Sequence, residues 1–173
     1  STTIRILPGC PPNRSPSTLS ARAAAPPAST ATNTRQKREK QKTILLGVTY
    51  ALLDLAAQFP IDFPELIVME TGGMKGRRKE MIREEVHDQL KNAFQLPSVH
   101  SEYGMTELLS QAYSAGGGRF FTPPWMMVLI RDIQDPFSIL PPGATGAINV
   151  IDLANIHSCA FVETQDIGKI NAD

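Results

Sequence analysis

Apolar residues first recur at structural spacing around position 43. Residues 43–47 form a short apolar run suited to a buried strand, and over residues 48–59 Leu52, Leu55, Ala56 and Phe59 fall on one helical face. Pro60 and Pro64 then interrupt the chain. Residues 66–69 give a second strand, ended by Thr71-Gly72-Gly73. Over residues 78–94, Ile82, Val86, Leu90 and Ala93/Phe94 step by about four with charged residues between them, which predicts an amphipathic helix. Residues 99–103 predict a third strand, leading through Gly104 to a short helix from Thr106. This alternation predicts an α/β fold with a layered, mostly parallel sheet covered by helices. Residues 125–131, 147–152 and 160–164 then predict a short β-rich, antiparallel or barrel-like part.

Before this pattern begins, residues 1–41 are dominated by Ser, Thr, Ala, Pro and Arg. Such a composition buries too little apolar surface to offset the entropy of ordering, so these residues are expected to be a disordered or non-native leader. Residues 42–173 are then the folded domain. Basic residues also gather near the start: Arg5, Arg14, Arg22, Arg35, Lys37, Arg38, Lys40 and Lys42 face the single acid Glu39. An Arg- and Ser-rich leader is one form of mitochondrial transit peptide, but no amphipathic helix supports that reading. The basic residues are scattered without interleaved aromatics, which argues against a nucleic-acid-binding tail.

Over all 173 residues, 17 Lys and Arg balance 17 Asp and Glu, so charge points to neither nucleic acid nor an anionic membrane as the main partner. The two cysteines, Cys10 and Cys159, form no CxxC or Cys/His cluster, and a reduced, cytoplasmic setting is expected. No apolar run approaches the ~20 residues of a membrane-spanning helix.

The most informative chemistry lies in Ser101-Glu102-Tyr103-Gly104-Met105-Thr106-Glu107. An aromatic ring at a strand end, a glycine, a hydroxyl and a carboxylate could form a small nucleotide site: a flat surface for a base, close backbone approach, and groups for phosphate and Mg²⁺. The same residues also suit a core aromatic followed by a capped helix. Both readings stand on spacing alone.

Tyr103-Gly104-Met105-Thr106-Glu107 resembles the signature of the adenylate-forming superfamily of acyl-CoA synthetases, peptide-synthetase adenylation domains and luciferases. The longer strings from Met69 to Arg78 and from His100 to Gln111 resemble more specifically the LuxE-like acyl-protein synthetases. The resemblance runs from about Lys42 to the end and implies part of the large domain of such an enzyme. It implies ATP and Mg²⁺ as cofactors and activation of a carboxylic acid, of fatty-acid type, as its acyl-adenylate. The acyl group would pass to a thiol, either a protein cysteine or coenzyme A, as in the related phenylacetate-CoA ligases. Residue by residue, Tyr103 would stack on adenine, Thr106 would contact the α-phosphate and Glu107 would hold Mg²⁺. Gly72, Gly73 and Gly104 would offer backbone close to the nucleotide. Asp166, in Thr164-Gln165-Asp166-Ile167-Gly168, resembles the aspartate that takes both ribose hydroxyls; without the resemblance it reads as a turn.

Other polar residues fit plainer roles. Lys75, Arg77 and Arg78 lack phosphate-loop spacing and suit a solvated helix start. His87 is expected at the surface, His100 and His157 to be structural, and Cys159 to be a buried thiol. The family's Ser/Thr/Gly-rich phosphate loop and its lid with a catalytic lysine have no counterpart here, so the chain by itself is expected to turn over poorly. A non-catalytic nucleotide-binding or interaction module is the competing class. A dinucleotide-binding oxidoreductase would need GxGxxG after the first strand, which Gly47-Val48-Thr49 does not supply.

Overall fold

The computed structural model describes residues 3–7, 37–73 and 81–171, which fall into two compact units. The first comprises the described residues from 37 to 102. The second comprises Thr3–Leu7 together with residues 103–171.

In the first unit, strands β2 (Thr43–Val48), β3 (Leu66–Thr71) and β4 (His100–Tyr103, of which the last residue opens the second unit) alternate with helices α1 (Thr49–Gln58) and α2 (Arg83–Phe94). β2 and β3 pair in parallel from Thr43↔Leu66 to Val48↔Thr71, and β3 pairs in parallel with β4 from Met69↔His100 to Thr71↔Glu102. These are two βαβ crossovers. β3 alternates strictly between buried and half-buried residues, and the core gathers Leu52, Leu53, Phe63, Val68, Leu90 and Phe94 from strand, loop and both helices. α2 starts five residues later than the apolar periodicity suggests, with Glu84 and Glu85 in its first turn and Lys91 in its last, each sign favoured by the helix dipole. Residues 78–80, with Lys75, Arg77 and Arg78, lie outside the described residues.

His87 departs from the surface position expected of it: it is buried on α2, with Nε2 3.2 Å from Ser101 Oγ and 3.6 Å from Glu70 Oε1. Glu70 is buried as well. It accepts from Thr49 Oγ1 at 2.9 Å and lies 3.5 Å from Arg83 Nε. Burial raises its pKa, but His87, Ser101, Arg83 and Thr49 together outweigh that and hold it below 4.5. A depressed carboxylate contributes stability that is complete above its ordinary pKa and is lost as pH falls through the native one. The urea midpoint should therefore drop as pH falls below 4.5, and less steeply in Glu70→Gln; equal slopes would show that this carboxylate plays no part in acid sensitivity.

The second unit is a sheet in the order β5-β6-β1-β9-β8-β7, formed by β1 (Thr3–Leu7), β5 (Ala112–Ser114), β6 (Arg119–Phe121), β7 (Met126–Arg131), β8 (Thr145–Asp152) and β9 (Phe161–Ile170). β7–β8 and β8–β9 are antiparallel, as the sequence suggests for this part. β1 lies parallel to both β6 and β9, within a leader for which the sequence suggested no element; residues 8–36 lie outside the described residues. A Cβ on Gly146 in β8 would run into the Arg131 carbonyl oxygen, so strand and glycine belong together.

The expected helix from Thr106 is absent. Thr106 and Glu107 sit instead in a turn closed by Leu108 N–H donating to Met105 O at 3.1 Å, and β5 follows. Asp166, in a turn-like sequence, lies inside the ten-residue β9.

Candidate functional site

β9 carries an irregularity where the turn signal was read. Between the pairs Ala147↔Ile167 and Asn149↔Glu163, β8 advances two residues while β9 advances four. The extra residues re-aim this stretch, which is how β-bulges serve sites. Thr164 Oγ1 donates to Ile148 O at 2.9 Å and accepts from Asp166 N–H at 3.2 Å. Arg131, buried, donates to Thr164 O at 3.3 Å and forms a 2.7 Å ion pair with Glu163. A Thr-Gln-Asp sequence therefore marks a bulge here rather than a chain reversal.

The bulge brings Asp166 to Tyr103, 63 residues away: the phenol donates to Asp166 Oδ2 at 2.8 Å. Tyr103 is 9% exposed and its ring meets Phe120 edge to face, with centroids 6.2 Å apart. Burial first, then the hydrogen bond and negative charge of Asp166, push the phenol pKa well up, so it stays protonated and is the donor of this pair. A carboxylate has about four acceptor positions, so Asp166, exposed, keeps capacity for further donors.

Thr106 and Glu107, both exposed, line an open hollow of ≈ 480 Å³ with Leu109, Asn155, Cys159 and Glu163 among its other walls. Cys159 is exposed rather than buried, its Sγ 3.2 Å from Phe161 O. His157 is exposed and His100 half-buried, with burial lowering the pKa of His100. Among the described residues no group of three or more His, Cys, Asp or Glu could hold a metal ion, which leaves Glu107 as a single-carboxylate candidate. One or two carboxylates plus substrate phosphates are the donors Mg²⁺ usually takes, so Glu107 fits that ion.

The candidate glycines differ in what their positions demand. Gly72, after β3 in the first unit, has φ +71, which disfavours any side chain, and its carbonyl accepts from Thr49 Oγ1 at 3.2 Å. A Cβ on Gly73 would meet open space, and one on Gly104 would press on the flexible Gln111 side chain. Gly73 therefore need not be glycine for packing, whereas a Cβ on Gly104, 2.8 Å from Gln111 Cγ, would force that side chain to shift. Glu102 accepts from Thr71 Oγ1 at 3.0 Å, within the first unit.

Three residues that sequence reasoning passed over stand behind this site. Arg131 holds the bulge. Asp152, fully buried at the end of β8, accepts from Leu109 N–H at 3.1 Å, Ser110 N–H at 2.8 Å and Ser110 Oγ at 2.7 Å, while Trp125 Nε1 donates to the same hydroxyl at 2.9 Å. Burial raises the Asp152 pKa, but the bonds from Ser110, Ala154 and Leu109 outweigh it and lower the pKa below 3.8. Asn155 is the third.

The fold has counterparts among solved structures. ATP-bound MatB from Rhodopseudomonas palustris superposes with TM-score 0.55 at 16% identity, over 80% of this chain and 31% of that one. The chain shares the fold of about a third of that structure. A red-emitting luciferase from Phrixothrix hirtus matches with TM-score 0.51 at 16% identity over 82% of this chain and 35% of the luciferase. McyG A-PCP, solved with phenylalanyl-adenylate, matches with TM-score 0.52 at 14% identity over 82% and 30% of the two chains. The chain thus spans about a third of the length of these structures. No protein-family model and no curated protein matches it. No helix among the described residues is long and apolar enough to cross a membrane.

Proposed function

We propose that the chain is the nucleotide-binding part of a ligase that activates a carboxylic acid, of fatty-acid type, as its acyl-adenylate for transfer to a thiol of a protein or of coenzyme A. The observation that carries this is the Tyr103–Asp166 hydrogen bond, which joins the two residues assigned to base and ribose across 63 positions of sequence. The resemblance in the sequence to LuxE-like acyl-protein synthetases, and the fold shared with MatB, luciferase and McyG A-PCP, support the same reading.

In this reading the adenine lies against Tyr103, and the free acceptor positions of Asp166 take the ribose hydroxyls. Gly104 keeps the chain after Tyr103 slim. The acid's carboxylate attacks the α-phosphorus, forming the acyl–phosphate bond as the bond to pyrophosphate breaks. Thr106 donates its hydroxyl to an α-phosphate oxygen, countering the charge that builds there. Glu107 holds Mg²⁺, which neutralises phosphate charge when bound. Attack on the acyl carbonyl by the acceptor's thiolate then releases AMP.

A binding experiment tests this without requiring turnover. A fatty acyl-sulfamoyl adenosine, a stable mimic of the acyl-adenylate, should bind more tightly than adenosine. Mg²⁺ should tighten ATP binding in the wild type and in Glu102→Gln, whose amide keeps an acceptor for Thr71, but not in Glu107→Gln. Equal affinity for mimic and adenosine, or equal Mg²⁺ dependence in the two variants, would contradict the assignment.

A further inference from the structure

The geometry points to Asn155 as a positioning residue that fixes the backbone of the Thr106-Glu107 turn, and with it the phosphate-facing groups, from a mount at the end of β8. The proposal rests on the functional reading above for what those groups bind, but not for the mount itself.

Residues 104–111 contain no helix or strand, only the turn from Met105 to Leu108. Thr106 and Glu107 are exposed, so packing does not hold their side chains. Their backbone is held from outside. Asn155 is 4% exposed and its amide nitrogen donates to Glu107 O at 2.7 Å and to Cys159 O at 2.8 Å. Its Oδ1 accepts from Ser158 Oγ at 2.8 Å. Both N–H groups therefore have a carbonyl each, and reversing the amide would set an oxygen against two oxygens, so the orientation is fixed. Two residues after Glu107, Asp152 takes the Leu109 and Ser110 amides.

Asp152 and Asn155 are joined by the single 3₁₀ turn Leu153–Asn155, in which Asp152 Oδ1 accepts from Ala154 N–H at 3.1 Å. One turn thus grips residues 107–110 at two points, and Asn155 also ties Glu107 to Cys159, so that two walls of the hollow share one amide. A loop ordered during folding need not be ordered when ligand binds, and this is what a mount of this kind contributes to affinity. Asn155 is only 4% exposed at the wall of the hollow, and substituting it leaves the Thr106 and Glu107 side chains and the sheet unchanged, so a positioning role and a general structural role make different predictions.

The test compares wild type with Asn155→Asp, nearly isosteric but without the two donors, and Asn155→Ala, which removes them without adding charge. Two readouts are taken: amide hydrogen exchange, and affinity for adenosine and for ATP with Mg²⁺. In both variants the amides of residues 108–110 should exchange roughly ten-fold faster, the effect of losing one hydrogen bond, while those of β7 and β8 keep wild-type rates. Affinity for ATP with Mg²⁺ should fall roughly ten-fold, with adenosine, held by Tyr103 and Asp166, unchanged. Uniform acceleration across the unit, unchanged exchange at 108–110, or equal losses for both ligands would overturn the proposal. Wild-type protein that binds neither ligand would overturn the functional reading instead, and the exchange pattern would then decide the mount alone.

Discussion

Phe120→Ala should lower the stability of the second unit by about 3–5 kcal/mol, the usual cost of emptying a buried phenylalanine site. Phe120 is fully buried among Tyr103, Ala112, Met126, Val128 and Ile148, and its ring supports the edge of Tyr103. Native domains have only about 5–15 kcal/mol in hand, so this one change should remove much of the margin. Urea unfolding followed by the fluorescence of Trp125, which lies in the same unit, reads the loss. A change of under about 1 kcal/mol, the range of surface substitutions, would mean that this core is far less well packed than its burial indicates.

The second large effect is expected at Tyr103 itself, on binding rather than stability. Tyr103→Ala should weaken ATP by the roughly 1–3 kcal/mol of base stacking on an aromatic ring, about 5- to 150-fold. Tyr103→Phe keeps the ring and loses only the bond to Asp166, so it should fall between wild type and alanine. Tyr113→Ala is the control: that ring is outside the motif, on β5. Titration calorimetry of the four proteins gives the order. Equal losses in Tyr103→Ala and Tyr113→Ala would show that Tyr103 is only a core aromatic.

That last alternative was open on the sequence, and the structure shows why. Tyr103 is a core residue, 9% exposed, and also hydrogen-bonded to the residue assigned to ribose. The two readings are not exclusive. Strong local signals were legible: the apolar runs of β2, β3, β7 and β8 and the helical faces of α1 and α2 lie within a few residues of where periodicity put them. β5 and β6, at three residues each, are too short to show alternation, and their pairing is decided by the rest of the sheet. β1 was hidden differently: Ile4 and Ile6 alternate with Thr3 and Arg5, but the surrounding composition masks five residues.

His87 sits beside Val86 at the edge of the apolar face of α2, and only the presence of Glu70 and Ser101 opposite makes that edge a buried polar site. Motif residues of the candidate site were visible because their chemistry is carried by side-chain type. Their supports were not. Asp152 and Asn155 act on backbone groups 42 to 48 positions away, and no local pattern encodes such a contact. A paired signal existed only in hindsight of the fold: two short polar side chains just past a strand end, where the chain must turn.

The central claim is that Asp166 and Tyr103 form the nucleoside half of an ATP site. It is tested most directly by titrating wild type and Asp166→Ala with ATP and with 2′,3′-dideoxy-ATP. Hydrogen bonds to a charged group are each worth about 1.5–3 kcal/mol, so removing the ribose hydroxyls should weaken binding to wild type at least ten-fold and leave binding to Asp166→Ala nearly unchanged. The same loss in both proteins, or no saturable ATP binding to the wild type, would contradict the account.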